Sequence, residues 1–283
     1  MASCKIIYGT AWKRERTTAL VVSAVLNGFR AIDTAAQLKH YREDLVGEAL
    51  RILQMEHNIK REDLFVQTKY TSIGGQDHSQ PLPYNPSDSV AKQVESSVMQ
   101  SLANLGTSYV DSVLLHSPLD TMPHTLAAWR ALMALQDSGK VKEIGICNTY
   151  DVRILKMLEE GSGRRVQIVQ NRWFEGNYWD QDVCRYCREN DIQYQSFWTL
   201  SGSPNLLADA SIQTIARAKG YTPAQVLFRL AQLHGITPLS GTTNERHMKE
   251  DADVENVDIR LEDENDGQVK AAVDDIRKLV WRL

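Results

Sequence analysis

Three side chains that can donate, accept or polarise a proton follow short apolar segments of the chain: Asp33, Lys69 and His116. A lysine near the end of a buried strand must be paired or lose its charge, because an isolated buried charge is costly. Asp33 is the natural partner for Lys69. A Lys–Asp pair beside a hydroxyl lowers the proton affinity of that hydroxyl, as general acid catalysis near neutral pH requires. His116 would then orient and polarise a carbonyl group. The alternative is a salt bridge that only connects two strands.

Eight short β-branched or apolar segments recur along the 283 residues, and each is followed by a longer segment with helical spacing of apolar residues. They are residues 5–8, 29–32, 64–68, 110–115, 141–146, 166–169, 192–196 and 236–239. This alternation predicts parallel strands joined by crossover helices. Thr222 before Pro223 predicts a helix start, and Gly28 and Gly139 predict helix ends. We therefore predict one α/β domain over residues 1–283, a (β/α)8 TIM barrel.

Polar or aromatic residues stand at or just past the end of each segment. They are Thr10, Asp33, Lys69, His116, Asn148, Gln170, Trp198 and residues 240–244. Catalytic groups of such barrels come from the C-terminal ends of several strands and from the loops that follow. The three ionisable residues are therefore predicted to meet at one end of the barrel.

The composition excludes several classes of protein. A net charge of −4 gives no electrostatic reason to expect nucleic-acid binding. No segment approaches the roughly 18 apolar residues of a membrane span, and residues 1–9 lack the features of a secretory signal, so we expect a cytoplasmic protein. Cys184 and Cys187 form a CxxC pair in a helical segment, with no second pair at zinc spacing. We interpret them as structural thiols and predict no metal site.

Seven motifs appear in a specific order along nearly the whole chain. They are GTAWK at 9–13, FRAIDTA at 29–35, VGEAL at 46–50, LFVQTK at 64–69, YVDSVLLHSP at 109–118, IGICN at 144–148 and TPAQV at 222–226. In this order they resemble the aldo-keto reductase family. The resemblance implies a barrel enzyme that uses NADPH, or NADH, to reduce aldehydes and ketones through a tetrad of Asp, Tyr, Lys and His. Asp33, Lys69 and His116 match three of these four positions.

The tyrosine of the tetrad does not align directly. The family pattern places it five residues after the aspartate, where this chain has Leu38. The loop before residue 46 is about two residues longer than the family pattern, so the equivalent position is near His40 or Tyr41. We predict Tyr41 as the proton donor, because only Tyr41 restores the phenol, and we keep His40 as an alternative acid. A reorganised, non-reductive site is the third possibility.

The resemblance also implies a coenzyme site at the same end of the barrel. Asn148 and Gln170 match the residues that hydrogen-bond the nicotinamide amide. Phe197 matches the tyrosine that stacks on the nicotinamide ring. Thr10 and Asp33 are further expected coenzyme contacts.

The loop after the eighth segment departs most from the family pattern. Gly241 stands where a lysine holds the 2′-phosphate of NADP, and His247 stands where an arginine does. The other expected contacts in this loop are Thr242, Thr243, Asn244 and Asp251. Backbone amides of a turn at a helix N-terminus suit a phosphate, and Arg246 could replace the missing cation. The alternative is that this loop is only a helix-capping turn.

Four aromatic residues near the predicted rim are candidates to line a substrate pocket. They are Trp12, Tyr70, Trp173 and Trp198. Such a pocket would favour a flat or apolar substrate, although each side chain could equally be a core residue. The cover over the substrate is predicted to come from the Gly- and Pro-rich residues 71–88 and from residues 173–179, because long loops of this kind are usually functional or mobile.

The leading hypothesis is an NAD(P)H-dependent carbonyl reductase that acts on a small-molecule aldehyde or ketone as a monomer or weak homo-oligomer. A second hypothesis keeps the barrel without redox chemistry, as a dehydratase, cyclase or isomerase that needs no coenzyme. The third is a non-catalytic relative that binds a nucleotide to regulate a partner.

Overall fold

The computed structural model describes residues 6–260 and 266–282, and within them eight parallel strands form a closed barrel in sequence order. The strands are β1 (Ile7–Gly9), β2 (Ala31–Asp33), β3 (Phe65–Tyr70), β4 (Val110–Leu115), β5 (Val141–Cys147), β6 (Ile168–Arg172), β7 (Gln193–Phe197) and β8 (Ile236–Ser240). The predicted (β/α)8 barrel is confirmed. Residue 5, where the first predicted strand begins, lies outside the described residues.

Seven of the eight strands end one to three residues later than their apolar segments. The added residues are largely polar and include Asp33, Lys69 and Gln170. They remain in the strands because the backbone ladder continues past them: Asp33 pairs with Gln67, and Gln170 pairs with Cys147. Polar side chains therefore belong to the barrel itself, and the strand backbone fixes their positions.

Helices surround the strands on the outside of the barrel. Within the described ranges they are α1 (Thr17–Leu26), α2 (Glu43–His57), α3 (Val90–Leu105), α4 (Met122–Asp137), α5 (Val152–Ser162), α6 (Gln181–Glu189), α7 (Pro204–Ala208), α8 (Ala210–Lys219), α9 (Pro223–Leu233), α10 (Glu245–Ala252) and α11 (Gly267–Ile276). Thr222 caps α9 as predicted, and Gly28 and Gly139 follow helices with positive φ. None of these helices is both long and apolar enough to cross a bilayer.

The apolar core has two separate parts. The larger part packs the outer face of the strands against the helices. The smaller part lies inside the barrel, where Leu114, Cys147 and Ile168 are buried together with Phe65 and Phe197 against them. Successive side chains of a strand point to opposite sides of the sheet, so alternate residues of each strand enter the barrel. Much of the remaining interior is polar, and its hydrogen bonds belong to the candidate active site.

Helix α2 is held against the barrel and against α3 by contacts close to the predicted catalytic loop. Glu43, its first residue, accepts a hydrogen bond of 2.5 Å from Thr68 Oγ1 on the outer face of β3. One turn later, a Cβ on Gly47 would overlap the carbonyl oxygen of Asn104 and approach the Cα of Leu105 to 3.0 Å. Both neighbouring atoms are backbone atoms at the end of α3. The glycine therefore permits a close helix contact that fixes the exit of the loop carrying Tyr41.

We expect Gly47→Ala to lower the free energy of unfolding by about 1–3 kcal/mol, because the added methyl meets backbone that cannot rotate away. In an unconstrained helix the same change stabilises by about 1 kcal/mol, so the sign of the effect tests the contact. Urea denaturation measures it.

The matched control is Gly161→Ala in α5, where the added methyl meets only the flexible side chain of Leu126. This control is expected to lose less stability than Gly47→Ala. A Gly47→Ala protein as stable as the wild type would contradict the close contact.

Candidate active site

A buried ion pair stands at the C-terminal end of the barrel. Lys69 Nζ lies 2.6 Å from both carboxylate oxygens of Asp33 and 2.9 Å from the carbonyl oxygen of Thr34. Asp33 and Lys69 are 2% and 1% exposed. Burial by itself lowers the pKa of Lys69, whereas the charge of Asp33 and its hydrogen bond raise it, and the net shift is upward. Lys69 is therefore a permanent ammonium, and the structure brings it together with Asp33 as predicted.

Three glutamines form a hydrogen-bonded layer that supports the aspartate from below. Gln67 and Gln170 donate to Asp33 Oδ1 at 2.7 and 3.0 Å. Gln195 accepts from both of them, at 2.8 and 3.0 Å, and donates back to Gln67 at 3.1 Å. Hydrogen bonds to the charged form favour the carboxylate. Sequence reasoning missed Gln67 and Gln195, although they stand two residues before the predicted site residues Lys69 and Phe197 and so point into the barrel on the same strands.

Tyr41 stands beside the ion pair. Lys69 Nζ lies 5.2 Å from the centroid of the Tyr41 ring, and the ring lies 5.9 Å from that of His116 at an angle of 66°. Burial raises the pKa of Tyr41 to about 12, and the charge of Lys69 opposes this rise. His40 instead stacks on Trp12, with ring centroids 3.7 Å apart. The structure thus groups Tyr41 with Asp33, Lys69 and His116, and places His40 at the rim.

His116 is held as a neutral imidazole. Its Nδ1 lies 2.7 Å from Thr71 Oγ1. Burial lowers its pKa to about 3, and the nearby charge of Lys69 contributes. If Thr71 donates to Nδ1, the ring carries its proton on Nε2 and can donate it to a substrate oxygen. Thr71 is a further site residue that sequence reasoning did not single out.

The residues predicted to hold the nicotinamide differ in their exposure and in their hydrogen-bond partners. Asn148 stands at the rim, with its amide nitrogen 2.9 Å from the carbonyl oxygen of His116. Phe197 is half-buried at the end of β7. Gln170 is turned into the barrel and bound to Asp33, which corrects the prediction that its amide faces a coenzyme. Thr10 is fully buried and donates to the carbonyl oxygen of Asp33 at 2.9 Å.

The four predicted pocket aromatics separate into two pairs. Trp12 and Trp198 are exposed at the rim, whereas Tyr70 and Trp173 are buried in the outer core. Lys69 points into the barrel, so the next residue, Tyr70, must point outward, and its hydroxyl donates to Gln93 on α3 at 3.1 Å. The prediction that Tyr70 lines the pocket is therefore corrected by the alternation of the strand.

Trp173 is corrected for a similar reason. Its ring packs 6.3 Å from that of Trp179 and 6.1 Å from that of Trp281 near the end of the described chain. Trp173 and Trp179 pack into the core, whereas residues 174–178 between them are partly or fully exposed. Phe174 lies at the mouth of the barrel, where its ring is 6.0 Å from that of Trp198. That residues 173–179 cover the substrate stays a prediction.

The other predicted cover does border an open cleft. A cavity of about 490 Å³ lies beside Tyr41, lined also by Trp12 and His40 and by Gln80 and Pro81 from the loop of residues 71–88. The loop is tied down where it begins, because Gln76 Nε2 donates to the carbonyl oxygen of Ala36 at 2.9 Å. The cleft therefore borders the segment that carries His40 and Tyr41, on the side of Trp12.

Backbone amides of the loop after β8 donate hydrogen bonds within the loop itself. Thr242 and Asn244 donate their N–H groups to Ser240 Oγ and Thr242 Oγ1. The side chain of Asn244 caps α10 by accepting from the N–H groups of Arg246 and His247. The turn therefore caps α10, and a phosphate bound there would rely mainly on side chains.

Lys13 and Asp251 bring charged groups to the loop after β8, the predicted coenzyme loop. Lys13, which sequence reasoning missed, donates its ammonium to the carbonyl oxygen of Gly241, where the resemblance leads one to expect a lysine. Asp251 is turned inward and accepts from Ser240 Oγ at 2.6 Å, which corrects the prediction that it contacts the coenzyme. Burial raises the pKa of Asp251 to about 6. Together with the exposed Arg246, Lys13 gives the loop a donor set that suits a phosphate-bearing coenzyme.

Comparison with known proteins agrees with this geometry. The sequence profile of the aldo/keto reductase family matches residues 5–274. The chain belongs to the aldo/keto reductase family. It is 29% identical over 240 residues to an uncharacterised oxidoreductase of Schizosaccharomyces pombe, covering 85% of this chain and 78% of that protein. It is 26% identical over 256 residues to the methylglyoxal reductase DkgA of Escherichia coli, covering 90% and 84%.

A solved structure supports the same assignment. The crystal structure of an aldo/keto reductase from Brucella melitensis superposes with a TM-score of 0.78 at 26% identity, covering 96% of this chain and 94% of the other. The predicted family and reaction class are confirmed: the protein is an oxidoreductase that reduces the carbonyl group of aldehydes or ketones with NADPH. This membership favours the leading hypothesis over the non-redox and regulatory alternatives.

The reductase holds three rim residues in a left-handed backbone conformation. Trp12, Asn148 and Trp198 have φ of 64°, 53° and 63°. Such conformations are unfavourable for residues with a Cβ and are concentrated at functional sites. Each of the three stands just past a strand, so the turn sets the direction of its side chain at the mouth of the barrel.

We expect the ring protons of His116 to show no titration between pH 5 and pH 8 in NMR spectra. The folded pKa lies below the ordinary value of 6.5, so protonation favours the unfolded chain. This histidine therefore contributes a loss of stability as the pH falls from about 6.5 towards 3. The spectrum of His116→Gln identifies the signal, and a midpoint above pH 5 for that signal would refute the buried neutral ring.

Proposed function

We propose that Tyr41 is the proton donor of this carbonyl reductase, with Lys69 and Asp33 setting its acidity and His116 orienting the substrate carbonyl. The single observation that carries the proposal is the position of the phenol, beside both the Lys69 ammonium and the His116 ring. The longer loop of this chain moves the tyrosine along the sequence and still returns the phenol to the ion pair.

The chemistry of the chain's own residues follows from their charges. NADPH, when bound, supplies the hydride that reduces the carbonyl carbon. Tyr41 is protonated at neutral pH, because burial raises its pKa to about 12, and so it has a proton to give. As that proton moves to the carbonyl oxygen, the fixed ammonium of Lys69 stabilises the negative charge that develops on the phenol. Asp33 keeps Lys69 charged and in place.

Coenzyme binding is proposed at the rim and at the loop after β8. Asn148 and Phe197 would hold the nicotinamide end, since both are accessible at the ends of β5 and β7. Lys13 and Arg246 would supply the positive side of the phosphate site, and the side chains of His247, Thr242 and Thr243 would supply further hydrogen bonds. These cations support a preference for NADPH over NADH.

The substrate is proposed to be a small aldehyde or ketone that enters through the cleft beside Tyr41. The exposed ring of Trp12 would cover it. The similarity to the methylglyoxal reductase of Escherichia coli supports a short aldehyde as the first compound to test. We further propose that the enzyme acts in the cytoplasm as a monomer or weak homo-oligomer, on the basis of its composition.

Tyr41→Phe is expected to lower kcat about a hundredfold to ten-thousandfold, because positioned proton transfer contributes on that order. The substitution keeps the ring that packs against His116 and removes only the hydroxyl. Steady-state oxidation of NADPH with methylglyoxal, followed by absorbance, measures the change.

His40→Gln is the matched variant for the alternative acid. It retains a polar side chain next to Trp12 and is expected to stay within about fivefold of wild-type kcat, since proton transfer does not depend on it. If His40→Gln abolishes turnover and Tyr41→Phe does not, the assignment of the donor is reversed.

Replacing Arg246 and His247 together by alanine is expected to weaken NADPH binding about tenfold to a hundredfold, the usual range for a lost hydrogen bond to a charged group. NADH lacks the 2′-phosphate, so its dissociation constant should change less than twofold. Isothermal titration calorimetry with both coenzymes measures the difference. An equal loss for the two coenzymes would place the 2′-phosphate elsewhere.

A further inference from the structure

Arg172 is a cation at the mouth of the barrel that the proposed reaction does not use. It is the last residue of β6 and pairs in register with Phe197 of β7. Two residues earlier Gln170 points inward to Asp33, and the intervening Asn171 points outward to the carboxylate of Asp180 at 2.7 Å. Alternation along the strand therefore turns Arg172 back toward the barrel, one layer above Gln170.

Three aromatic rings hold the guanidinium of Arg172 at this position. Its central carbon lies 3.9 Å from the ring centroid of Trp198, 5.8 Å from that of Phe197 and 5.9 Å from that of Phe174. Stacking on rings fixes the plane of a guanidinium and leaves its edge free to donate hydrogen bonds. The rings of Phe174 and Trp198 lie at the mouth of the barrel, so the edge of the guanidinium lies next to the proposed coenzyme and substrate sites.

The guanidinium has no counter-ion among the described residues. Its Nε is buried and without a hydrogen-bond partner there. The carboxylate of Asp180, which Asn171 contacts from the outer side of the same strand, also accepts from the hydroxyl of Tyr194 at 2.8 Å. A half-buried cation with an unmatched donor is costly unless an anion joins it.

The charge of Arg172 also reaches the catalytic side of the barrel. Burial raises the pKa of Cys147 to about 12, and Arg172 is among the positive charges that oppose this rise, together with Lys69. Cys147 lies in the smaller apolar cluster inside the barrel, against which Phe197 packs. Arg172 and Lys69 therefore act electrostatically on the same buried thiol.

We propose that Arg172 binds an oxyanion in the reacting complex, either a carboxylate of the carbonyl substrate or the pyrophosphate of the coenzyme. The inference rests on the proposed function, because it takes this mouth as the place where both molecules bind. Both groups present paired oxygens that match the planar fork of a guanidinium. In the first case the enzyme selects carbonyl compounds that carry an acidic group; in the second Arg172 is part of the coenzyme site.

The test compares wild type with Arg172→Met and Arg172→Lys on two aldehydes of equal chain length, the anionic 4-oxobutanoate and the neutral butanal. Methionine keeps the packing against the rings and removes the charge. Steady-state kinetics give kcat and KM for each aldehyde, and calorimetry gives the Kd of NADPH.

For a substrate carboxylate, Arg172→Met is expected to raise KM for 4-oxobutanoate about tenfold to a hundredfold, with butanal and NADPH changed less than twofold. If Arg172 binds the coenzyme pyrophosphate, Arg172→Met is expected to raise the Kd of NADPH about tenfold to a hundredfold. Its activity at low NADPH should then fall equally with both aldehydes. In either case Arg172→Lys should recover part of the loss.

Arg51→Met is the control for loss of an arginine. Arg51 lies near Leu64 and Tyr109, which precede β3 and β4, so it stands at the opposite end of the barrel. It should leave all three values unchanged. The proposal is overturned if Arg172→Met changes none of them, or if both aldehydes lose kcat equally at saturating NADPH, as a packing role would predict.

Failure of the proposed function is distinguishable from failure of this inference. If no aldehyde or ketone causes wild type to oxidise NADPH, the proposed carbonyl reductase function is wrong. Calorimetric binding of NADPH and of 4-oxobutanoate to wild type and Arg172→Met then still decides whether Arg172 binds an anion.

Discussion

The ion pair between Lys69 and Asp33 is the interaction on which the active end of the barrel depends. Removing two charges from water is expensive, and their attraction offsets this cost only when further hydrogen bonds satisfy the remaining donors and acceptors. Here Gln67, Gln170 and the carbonyl oxygen of Thr34 provide those bonds. The ammonium of Lys69 therefore keeps its positive charge, and these contacts fix its position. It opposes the rise in the pKa of the Tyr41 phenol that burial causes, and it disfavours a second positive charge on the neighbouring imidazole.

The same pair explains why the barrel interior is polar. Barrels of this class usually fill their centre with layers of branched apolar side chains, whereas here the apolar residues inside form one small cluster around Leu114 and Ile168. Gln195 completes the layer, because it is the partner that keeps the other two glutamines aimed at the carboxylate. A buried polar network of this kind is stabilising when complete and costly when one member is lost. The interior thus has less apolar packing, and its polar side chains instead hold the carboxylate of Asp33 in place.

The sequence was sufficient for the barrel and for the meeting of Asp33, Lys69 and His116 at one end of it, because apolar segments with helical spacing between them define strands, and strand ends define the rim. Counting the length of one loop also predicted Tyr41, whose ring lies beside Lys69 and His116; its role as proton donor stays a proposal. The sequence was insufficient where neighbouring residues of a strand point to opposite sides. Lys69 and Tyr70 are adjacent in the chain, yet one faces the active site and the other faces α3.

Contacts between distant parts of the chain were also beyond the sequence. The resemblance left Gly241 without the expected cation, and the ammonium that lies against it belongs to Lys13, 228 residues earlier. No local pattern connects the two positions, because only closure of β8 onto β1 brings them together. Asp251 was misplaced for a different reason: its carboxylate accepts a hydrogen bond from Ser240, only 11 residues away, and the direction of a buried side chain cannot be deduced from alignment of a motif.

The left-handed turns at Trp12, Asn148 and Trp198 have a consequence for how this enzyme can change. Each costs on the order of 1–3 kcal/mol relative to relaxed backbone, and a glycine would relieve that cost while removing the side chain that the turn presents. Selection for heat resistance alone would therefore act against the mouth of the barrel, and selection for turnover would keep it strained. Adaptation of this reductase to higher temperature is expected to proceed through its helices and outer loops, leaving these three positions as they are.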